Sequence, residues 1–402
     1  MLTVLHPEIY HQVLSYPIGI MAAPDPDGGN PFLIVKAHKE FLLAAKLSGF
    51  FKVYVCPADL GGRETLALVF AFFDDEDEPL NIRTPLVDDV ESRQLLAALK
   101  SPSVNVHFFD EHGREFLVYE AEIVVPEVTR GRLDGLKLLG SDFVQAHQNM
   151  LHGVATWFGL RTSQDEEEAL TVRLVHAPYG ESLAIQDARY PLHQHHGAKG
   201  YSISMLEREE PGNFQEEDII KCLAMCFPQS QIYHGPLRTT DKEEICDVLV
   251  VTDDRVLIIQ AKDSPNVERI AKQKLSRKQT NAMTAFKKAV AQVRGAQSYI
   301  KAGNGTLRYI LNGEEKSIDI SQKQLFAITI IKEVFERESE EYAKILNVLM
   351  VERSIPCYVI SYGMFYELCY RVNDADKFFQ FSEEMVESIK HLQDLPVINF
   401  HS

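Results

Sequence analysis

The sequence predicts an α/β protein in which a C-terminal core with the element order helix, three strands, helix and strand (αβββαβ) follows an α+β N-terminal region. The main observation is the stretch EICDVLVVTDDRVLIIQAKDS, residues 244–264, where two runs rich in Val, Ile and Leu flank a turn signal at Asp253 and Asp254. Both runs are almost continuously apolar, which is typical of strands covered on both faces by helices. We therefore expect a buried β-hairpin here.

The few polar positions of this hairpin converge on one of its ends. If the loop is symmetric, Thr252 pairs with Arg255, and the same register places Asp247 directly opposite Gln260. Lys262 then points to the same face as Gln260. Burial of such groups is costly unless something charged shares the site, and a cation with a phosphate would do so. A plain cross-strand ion pair between Asp247 and Lys262 is the alternative.

A helix is predicted over residues 213–227, NFQEEDIIKCLAMCF, upstream of the hairpin. At 100° per residue, Glu216 falls near the centre of its apolar stripe, Glu217 lies at the edge and Asp218 lies outside. A carboxylate on a buried stripe indicates a function. The alternative is a capping box in which Asn213 caps the helix and Glu216 bonds back to it.

A basic segment follows the hairpin. The whole chain has a net charge of −17, which by itself disfavours nucleic acid, but residues 255–302 contain eleven Lys and Arg against two acidic residues. A long helix is expected there, either continuous or broken near Thr280, with Met283, Phe286, Val290, Val293 and Ile300 at near-helical spacing on its core face. Its basic residues are candidates to bind a phosphate backbone; a merely solvated face is the alternative. The candidates are Lys272, Lys274, Arg277, Lys278, Lys287, Lys288 and Arg294.

The remaining composition is that of a soluble protein of two or three domains. The chain has 402 residues, 45% hydrophobic and 25% charged. The absence of a membrane-length apolar run and of a leader at Met1 to Tyr10 predicts a cytoplasmic protein without membrane association. Six cysteines without a CxxC pair are expected to be reduced core residues rather than a zinc ribbon.

Three regions are expected along the chain: an α+β domain of unknown role at 1–135, an α+β extension or linker subdomain at 136–210, and the αβββαβ domain at 211–402. Pro211 and Gly212 mark the last boundary. The predicted strands of the first two regions are FFKVYV, RETLALVFAFF, SVNVHFF, REFLVYEAEIVV and TVRLVHA, and the predicted helices are VESRQLLAALK and SDFVQAHQNMLHGVATWFGL.

A histidine-rich loop, PLHQHHGAKGYS, lies in the second region. His193, His195 and His196 could bind a metal, because closely spaced imidazoles on a loop are competent ligands. No carboxylate or cysteine accompanies them at a fixed spacing, so the pattern favours a polar loop.

The order of these features resembles the PD-(D/E)XK nuclease superfamily and its restriction-endonuclease-like core. The resemblance consists of a helix with a buried Glu, a strand, the strand with Asp247, the strand with Gln260-Ala261-Lys262, a basic helix and a further strand. It covers about residues 211–365 and is similar in particular to the Mrr-like branch, where Gln replaces the second acid, and to the nuclease-related domain.

The resemblance implies a site for Mg²⁺ (or Mn²⁺). Asp247 would be the anionic ligand, and the side-chain carbonyl of Gln260 and the backbone carbonyl of Ala261 would be neutral ligands. Glu216 would complete the site directly or through water. Lys262 would orient or help deprotonate the attacking water and stabilise charge on the phosphate. The neutral Gln260 lowers the anionic charge of the site.

The sequence therefore predicts a metal-dependent DNA endonuclease whose first 210 residues form a recognition, sensing or partner-binding module. By analogy, such a fusion fits a bacterial anti-phage defence effector or a restriction enzyme. The alternatives are a catalytically inactive nuclease-like module that binds nucleic acid or protein, and an RNA-cleaving nuclease. The expected partners are nucleic acid, foremost DNA, a protein partner or trigger at the N-terminal region, and a second copy of the chain.

Overall fold

A computed structural model describes residues 1–74, 78–140, 144–210 and 212–396. The predicted boundary residue Pro211 lies outside these residues, and the predicted extension at 136–210 is divided between two compact units. The first unit comprises Met1–Ile185, Met205–Arg208 and Asn266–Lys272, and the second comprises Gln186–Ser204, Glu209–Pro265 and Gln273–Ser402.

The first unit is built around a large, mostly antiparallel sheet. Its elements are α1 (Leu2–Leu5), α2 (Pro7–Ser15), β1 (Gly19–Ala23), β2 (Phe32–Lys36), α3 (Lys39–Ser48), β3 (Phe50–Asp59), β4 (Glu64–Phe72), β5 (Leu80–Pro85), α4 (Val90–Lys100), β6 (Ser103–Phe109), β7 (Glu115–Val124), α5 (Glu127–Asp134), α6 (Val144–Gly159), α7 (Ser163–Glu168) and β8 (Leu170–His176). The eight strands lie in the order β1-β2-β6-β7-β8-β3-β4-β5, and only β2 and β6 pair in parallel.

In this unit the sequence patterns predict the longer strands and helices correctly. The five predicted strands are confirmed as β3, β4, β6, β7 and β8, and the two predicted helices as α4 and α6, whose first predicted residues, 141–143, lie outside the described residues. Strands β1, β2 and β5 were not predicted. β1 has the sequence GIMAA, in which Gly and Ala carry little strand preference; it is an edge strand that pairs with β2, and all five of its residues are buried.

The second unit has a smaller sheet with helices packed against it. The chain continues through β9 (Ala184–Asp187, whose first two residues belong to the first unit), β10 (Ser202–Met205, whose last residue belongs to the first unit), α8 (Gly212–Cys226), β11 (Ile232–His234), β12 (Val248–Val251), β13 (Arg255–Lys262), α9 (Glu268–Ala271, in the first unit), α10 (Leu275–Ala302), β14 (Thr306–Leu311), β15 (Glu314–Asp319), β16 (Gln324–Ile331), α11 (Ser339–Arg353), β17 (Cys357–Ser361), α12 (Tyr362–Val372) and α13 (Ala375–Leu392). The sheet has the order β11-β12-β13-β16-β17.

The predicted central hairpin is confirmed as β12 and β13. Val248 pairs with Ile259 in the antiparallel register expected from a symmetric loop, and Thr252 N–H donates to the Arg255 carbonyl at 2.9 Å across the turn. Every residue of β12 is buried, as are the six central residues of β13, and both α8 and α10 pack against β13. Because side chains of a strand alternate between faces, continuous burial means that both faces are covered.

The structure of helix α10 decides one open expectation and confirms another. It is continuous from Leu275 to Ala302, with no break at Thr280, whose hydroxyl donates to the Ser276 carbonyl at 2.9 Å within the helix. The apolar positions predicted to form its core face are all buried, namely Met283, Phe286, Val290, Val293 and Ile300.

The structure describes no helix with the length and hydropathy needed to cross a bilayer. All six cysteines are buried free thiols, as the sequence predicted. The smaller hairpin of β14 and β15 turns at Asn312 and Gly313, which both have positive φ (53° and 80°), the conformation that favours Asn-Gly in a two-residue turn.

We expect Ile258→Ala, in the fully buried middle of β13, to lower the free energy of unfolding by about 2–5 kcal/mol through lost burial and a residual cavity. The matched control is Val351→Ala on α11, where the side chain is 82% exposed and the change should stay within about 0.5 kcal/mol. Urea denaturation of both variants measures this. Equal effects would contradict the central position of β13.

Candidate active site

The end of the β12–β13 hairpin brings together the polar residues that the sequence singled out. Asp247 directly precedes β12, and β13 ends with Gln260, Ala261 and Lys262. The Ala261 N–H donates to Asp247 Oδ2 at 2.6 Å. Lys262 Nζ lies 3.6 Å from the same oxygen and donates to the Ala261 carbonyl at 2.8 Å. The hairpin register thus places three residues of β13 around the buried carboxylate of Asp247.

The Gln260 side chain, which is 2% exposed, faces Asp247 with the end of its amide. The facing amide atom lies 3.1 Å from Oδ1 and 3.2 Å from Oδ2. An oxygen in that place would meet only acceptors, so hydrogen bonding assigns the nitrogen there, where it donates to both carboxylate oxygens. In this arrangement Gln260 therefore satisfies part of the hydrogen-bonding capacity of the Asp247 carboxylate.

Opposing electrostatic effects act on the pKa of the Asp247 carboxyl, and together they raise it. Burial raises the pKa of its carboxyl, and the neighbouring negative charge of Glu216 raises it further. The charge of Lys262 and the hydrogen bond from Ala261 N–H lower the pKa but do not cancel the effect of burial. A bound cation would lower the free-energy cost of keeping this buried carboxylate charged.

Glu216 projects from α8, where its side chain is 16% exposed, and its Oε2 lies 2.9 Å from His234 Nε2. The capping-box alternative is wrong for this helix, because α8 already begins at Gly212 and Asn213 lies inside its first turn. The Glu216 carboxylate is thus engaged by a side chain of the sheet.

The neighbouring acid Asp218 differs from the expectation. It was placed outside the apolar stripe of α8, yet it is 2% exposed and lies 3.9 Å from Lys221. Burial continues without interruption from Asp218 to Leu223, so the helix is covered on more than one face. A stripe drawn from apolar residues alone could not show this.

His234 is a site residue that the sequence did not reveal. It ends β11 opposite Val248, so strand pairing places it beside Asp247, and the Gly235 N–H donates to the Asp247 carbonyl at 2.9 Å. Burial would lower its pKa, but the hydrogen bond to Glu216 and the charges of Glu217 and Glu216 prevail and raise it. A three-residue strand leaves no periodic pattern from which to find such a residue.

Glu244 is the second residue that was missed. Although much of its surface is exposed, its carboxyl end is partly withdrawn from water, and this, together with the negative charges of Asp247 and Glu216, raises its pKa to about 7. Its Oε1 lies where a Cβ on Gly235 (φ 56°) would come within 2.8 Å. Three carboxylates therefore share one electrostatic environment at this edge of the sheet.

A small, hard cation at Asp247 would take oxygen ligands from Gln260 and Ala261 only after both groups rearranged locally. Adjacent ligand oxygens of an octahedral Mg²⁺ ion lie about 3 Å apart, since each bond is about 2.1 Å. The end of the Gln260 amide already lies 3.1 Å from Asp247 Oδ1, and a half-turn of the amide would present its oxygen. The Ala261 carbonyl accepts from Lys262 and would serve only after that ammonium moved.

The predicted nucleic-acid-binding residues lie on and before α10, but two of them form ion pairs with the acidic helix α11. Lys287 Nζ lies 2.6 Å from Glu341 Oε1, and Arg294 Nη2 lies 3.1 Å from Glu352 Oε2. A phosphate at either residue would have to compete with a carboxylate. The other predicted residues are exposed or half-buried: Lys272, which also pairs with Glu268 at 2.5 Å, Lys274, Arg277, Lys278 and Lys288.

Comparisons with known proteins add a structural likeness to this description. No family model matches the chain, and no curated protein matches it. Among solved structures, the chain is similar to the small subunit (R.BspD6I2) of the heterodimeric restriction endonuclease R.BspD6I, with 12% identity over 45% of this chain and 86% of that chain and a TM-score of 0.27. At this score the likeness assigns no residue a role.

We expect Asp247→Asn to lower the pKa of Glu244 from about 7 towards its ordinary value, because the substitution removes a neighbouring negative charge. A carboxyl-carbon NMR titration of protein labelled at Glu measures this pKa. Asp253→Asn in the exposed turn of the same hairpin is the control and should leave the Glu244 titration in place. An unchanged pKa of Glu244 in the Asp247→Asn variant would show that the two carboxylates do not interact.

Proposed function

We propose that the chain is a metal-dependent nuclease that hydrolyses phosphodiester bonds of DNA. The observation that carries this proposal is the convergence of Asp247, Gln260 and Lys262 at the end of one buried hairpin, with Glu216 supplied by a separate helix. An ion pair by itself needs neither the buried amide nor the second carboxylate. Hydrolysis of a phosphodiester needs oxygen ligands for a cation and a positive charge for the phosphate, and this set supplies both.

Each residue has a role in the proposed reaction. Asp247 and Gln260 would hold Mg²⁺ or Mn²⁺ with Glu216, directly or through water, and Ala261 would add its carbonyl. The metal would supply Lewis-acid activation and neutralise developing negative charge. Lys262, whose ammonium lies 3.6 Å from Asp247, would hold a phosphate oxygen and orient the attacking water. Water oxygen attacks phosphorus, the phosphorus–oxygen ester bond breaks, and the departing oxygen takes up a proton.

The chain order of the second unit supports the assignment to a restriction-endonuclease-like core with a QxK motif. Helix α8 with Glu216, then β11, β12, β13, the basic helix α10 and the strand β16, follow the order of that core, and β16 pairs in parallel with β13. In this proposal α10 binds the DNA backbone, and the first unit serves recognition or sensing, which suits a defence effector or a restriction enzyme.

A second function is favoured by one specific observation. Gln260 donates to both oxygens of Asp247, and Lys262 lies against the same carboxylate, so the polar groups satisfy one another without a cation. This arrangement would suit a nuclease-like module that binds nucleic acid without cleaving it. Cleavage by the wild-type protein, tested with plasmid DNA, single-stranded DNA and RNA in Mg²⁺, Mn²⁺ or EDTA, separates the two functions.

We expect Asp247→Asn and Lys262→Met each to lower the rate of DNA cleavage by about 10²-fold or more, since each removes one charge from the reacting centre. Gln260→Glu should retain metal-dependent cleavage, because it keeps an oxygen ligand of the same length. Plasmid nicking and linearisation at saturating Mg²⁺ measure the rates. The control is Asp253→Asn, and an Asp247→Asn protein that folds and cleaves at the wild-type rate would refute the nuclease proposal.

Charge reversal at the residue before α10 and in its first turn tests the proposed nucleic-acid contact. A Lys274→Glu, Arg277→Glu variant should bind unrelated DNA sequences more weakly, with a shallower dependence of affinity on salt, because fewer counterions are released. Fluorescence anisotropy at several salt concentrations, in Ca²⁺ to prevent cleavage, measures both. Lys377→Glu on α13, also an exposed lysine, is the matched control. Wild-type affinity and slope in the double variant would show that α10 is only a solvated face.

A further inference from the structure

A second cluster of ligating side chains lies beside the Asp247 site in the second unit. His195, Glu217 and His234 each offer one ligand atom, and these three atoms lie within 4.8 Å of one another. They come from the histidine-rich loop, from α8 and from the end of β11. Two imidazoles and one carboxylate form a donor set that zinc and similar transition metals prefer, whereas Mg²⁺ prefers oxygen donors.

His195 is the unusual member of its loop. The ring of His193 is bonded through Nε2 to the Asp187 carbonyl at 2.9 Å, and that of His196 to the Ser230 carbonyl at 3.0 Å. His195 lies between them, is 4% exposed, and neither of its ring nitrogens has a hydrogen-bond partner in the part of the chain that the structure describes. Buried imidazole nitrogens are normally bonded, so this ring lacks a partner that a metal ion would provide.

The loop is fixed to the sheet in a way that aims His195 inward. The His196 N–H donates to the Ile232 carbonyl and the His234 N–H donates to the His196 carbonyl, both at 2.9 Å, so the loop continues the sheet beside β11. Gly197 adopts φ 94°, and a Cβ there would lie 2.8 Å from the His234 carbonyl oxygen. Only glycine allows this close approach without displacement of the backbone.

His234 is already oriented as a metal ligand. Its Nε2 lies 2.9 Å from Glu216 Oε2, and its Nδ1 lies 3.7 Å from Glu217 Oε1. If Nε2 carries the proton and donates to Glu216, the lone pair of Nδ1 points towards Glu217. Metal-bound histidines commonly donate their other N–H to a carboxylate in this way, which fixes the ring and its tautomer. In a tetrahedral zinc site the ligand atoms lie about 3.3 Å apart, so these atoms, which lie within 4.8 Å of one another, would approach by up to about 1.5 Å to complete the set.

We propose that His195, Glu217 and His234 form a binding site for a transition-metal ion such as Zn²⁺, separate from the Mg²⁺ site at Asp247. Three protein ligands leave the fourth tetrahedral position to water. The side chains of Glu217 and His234 are 15% and 14% exposed, which gives the ion a path from solvent. The bound ion joins the histidine loop to α8 and β11, and it holds the His234 N–H towards Glu216. This site does not depend on the nuclease proposal.

The test uses the full chain, stripped with a chelator and titrated with Zn²⁺ in competition with a chromophoric chelator while Mg²⁺ is held in excess. Wild-type protein should bind one equivalent of Zn²⁺, and His195→Asn and Glu217→Gln should each weaken this binding by at least about tenfold. Co²⁺ in place of Zn²⁺ should give the intense visible absorption of tetrahedral coordination in wild type and lose it in both variants. Thermal unfolding of each metal-free variant establishes that it is folded.

Two controls locate the ion. His196→Asn removes a neighbouring imidazole that is bonded elsewhere, and Asp247→Asn removes the anionic ligand of the other site; both should bind Zn²⁺ as wild type does. Unchanged Zn²⁺ affinity in both the His195 and the Glu217 variant would overturn the proposal, as would loss of Zn²⁺ binding in the Asp247 variant alone. Should His195→Asn fail to fold, the partly exposed Glu217→Gln still decides the outcome. Loss of nuclease activity with intact Zn²⁺ binding would concern the nuclease proposal only.

Discussion

The buried carboxylate of Asp247 is the constraint on which the arrangement of the second unit depends. A carboxylate that is only 4% exposed cannot remain charged without nearby donors, and the hairpin supplies them as the Ala261 N–H and the Lys262 ammonium. Both donors come from the end of β13, so a register shift of one residue would turn them away. The site therefore depends on the register of the hairpin, and that register depends on the burial of both faces of β12 and β13.

The compensation of Asp247 is incomplete, and this has consequences for its neighbours. Glu216 and Glu244 add negative charge at the same edge of the sheet, and the pKa values of Asp247 and Glu244 are raised. Such a cluster costs folding free energy, which is typical of sites that bind a cation or a charged substrate. The Glu216–His234 hydrogen bond then joins an oxygen-rich group of side chains to an imidazole-containing group, the two proposed metal sites. Hard and borderline metal ions are distinguished by these two donor types.

In helix α10 the basic residues proposed to bind nucleic acid include two that form ion pairs with α11. Its buried face, which includes Phe286 and Val293, packs in the core, while Lys287 and Arg294 meet carboxylates of α11. Exposed ion pairs contribute about 0–1 kcal/mol, so a polyanion that releases counterions could displace these carboxylates at little cost. The carboxylates of α11 would then compete weakly with phosphate, so that an isolated phosphate would bind less well than a polyanion.

The sequence by itself determined the hairpin, its register and the convergence of Asp247, Gln260 and Lys262, because a short turn and a two-residue period fix which side chains face each other. It also determined the longer strands of the first unit and the core face of α10, where many positions repeat one pattern. Only the tertiary structure decided that His234 and His195 lie near α8, that Asp218 is buried, and that α11 pairs with α10. These contacts join segments far apart in the chain or lie on elements of a few residues, and their partners are chosen by packing rather than by local periodicity.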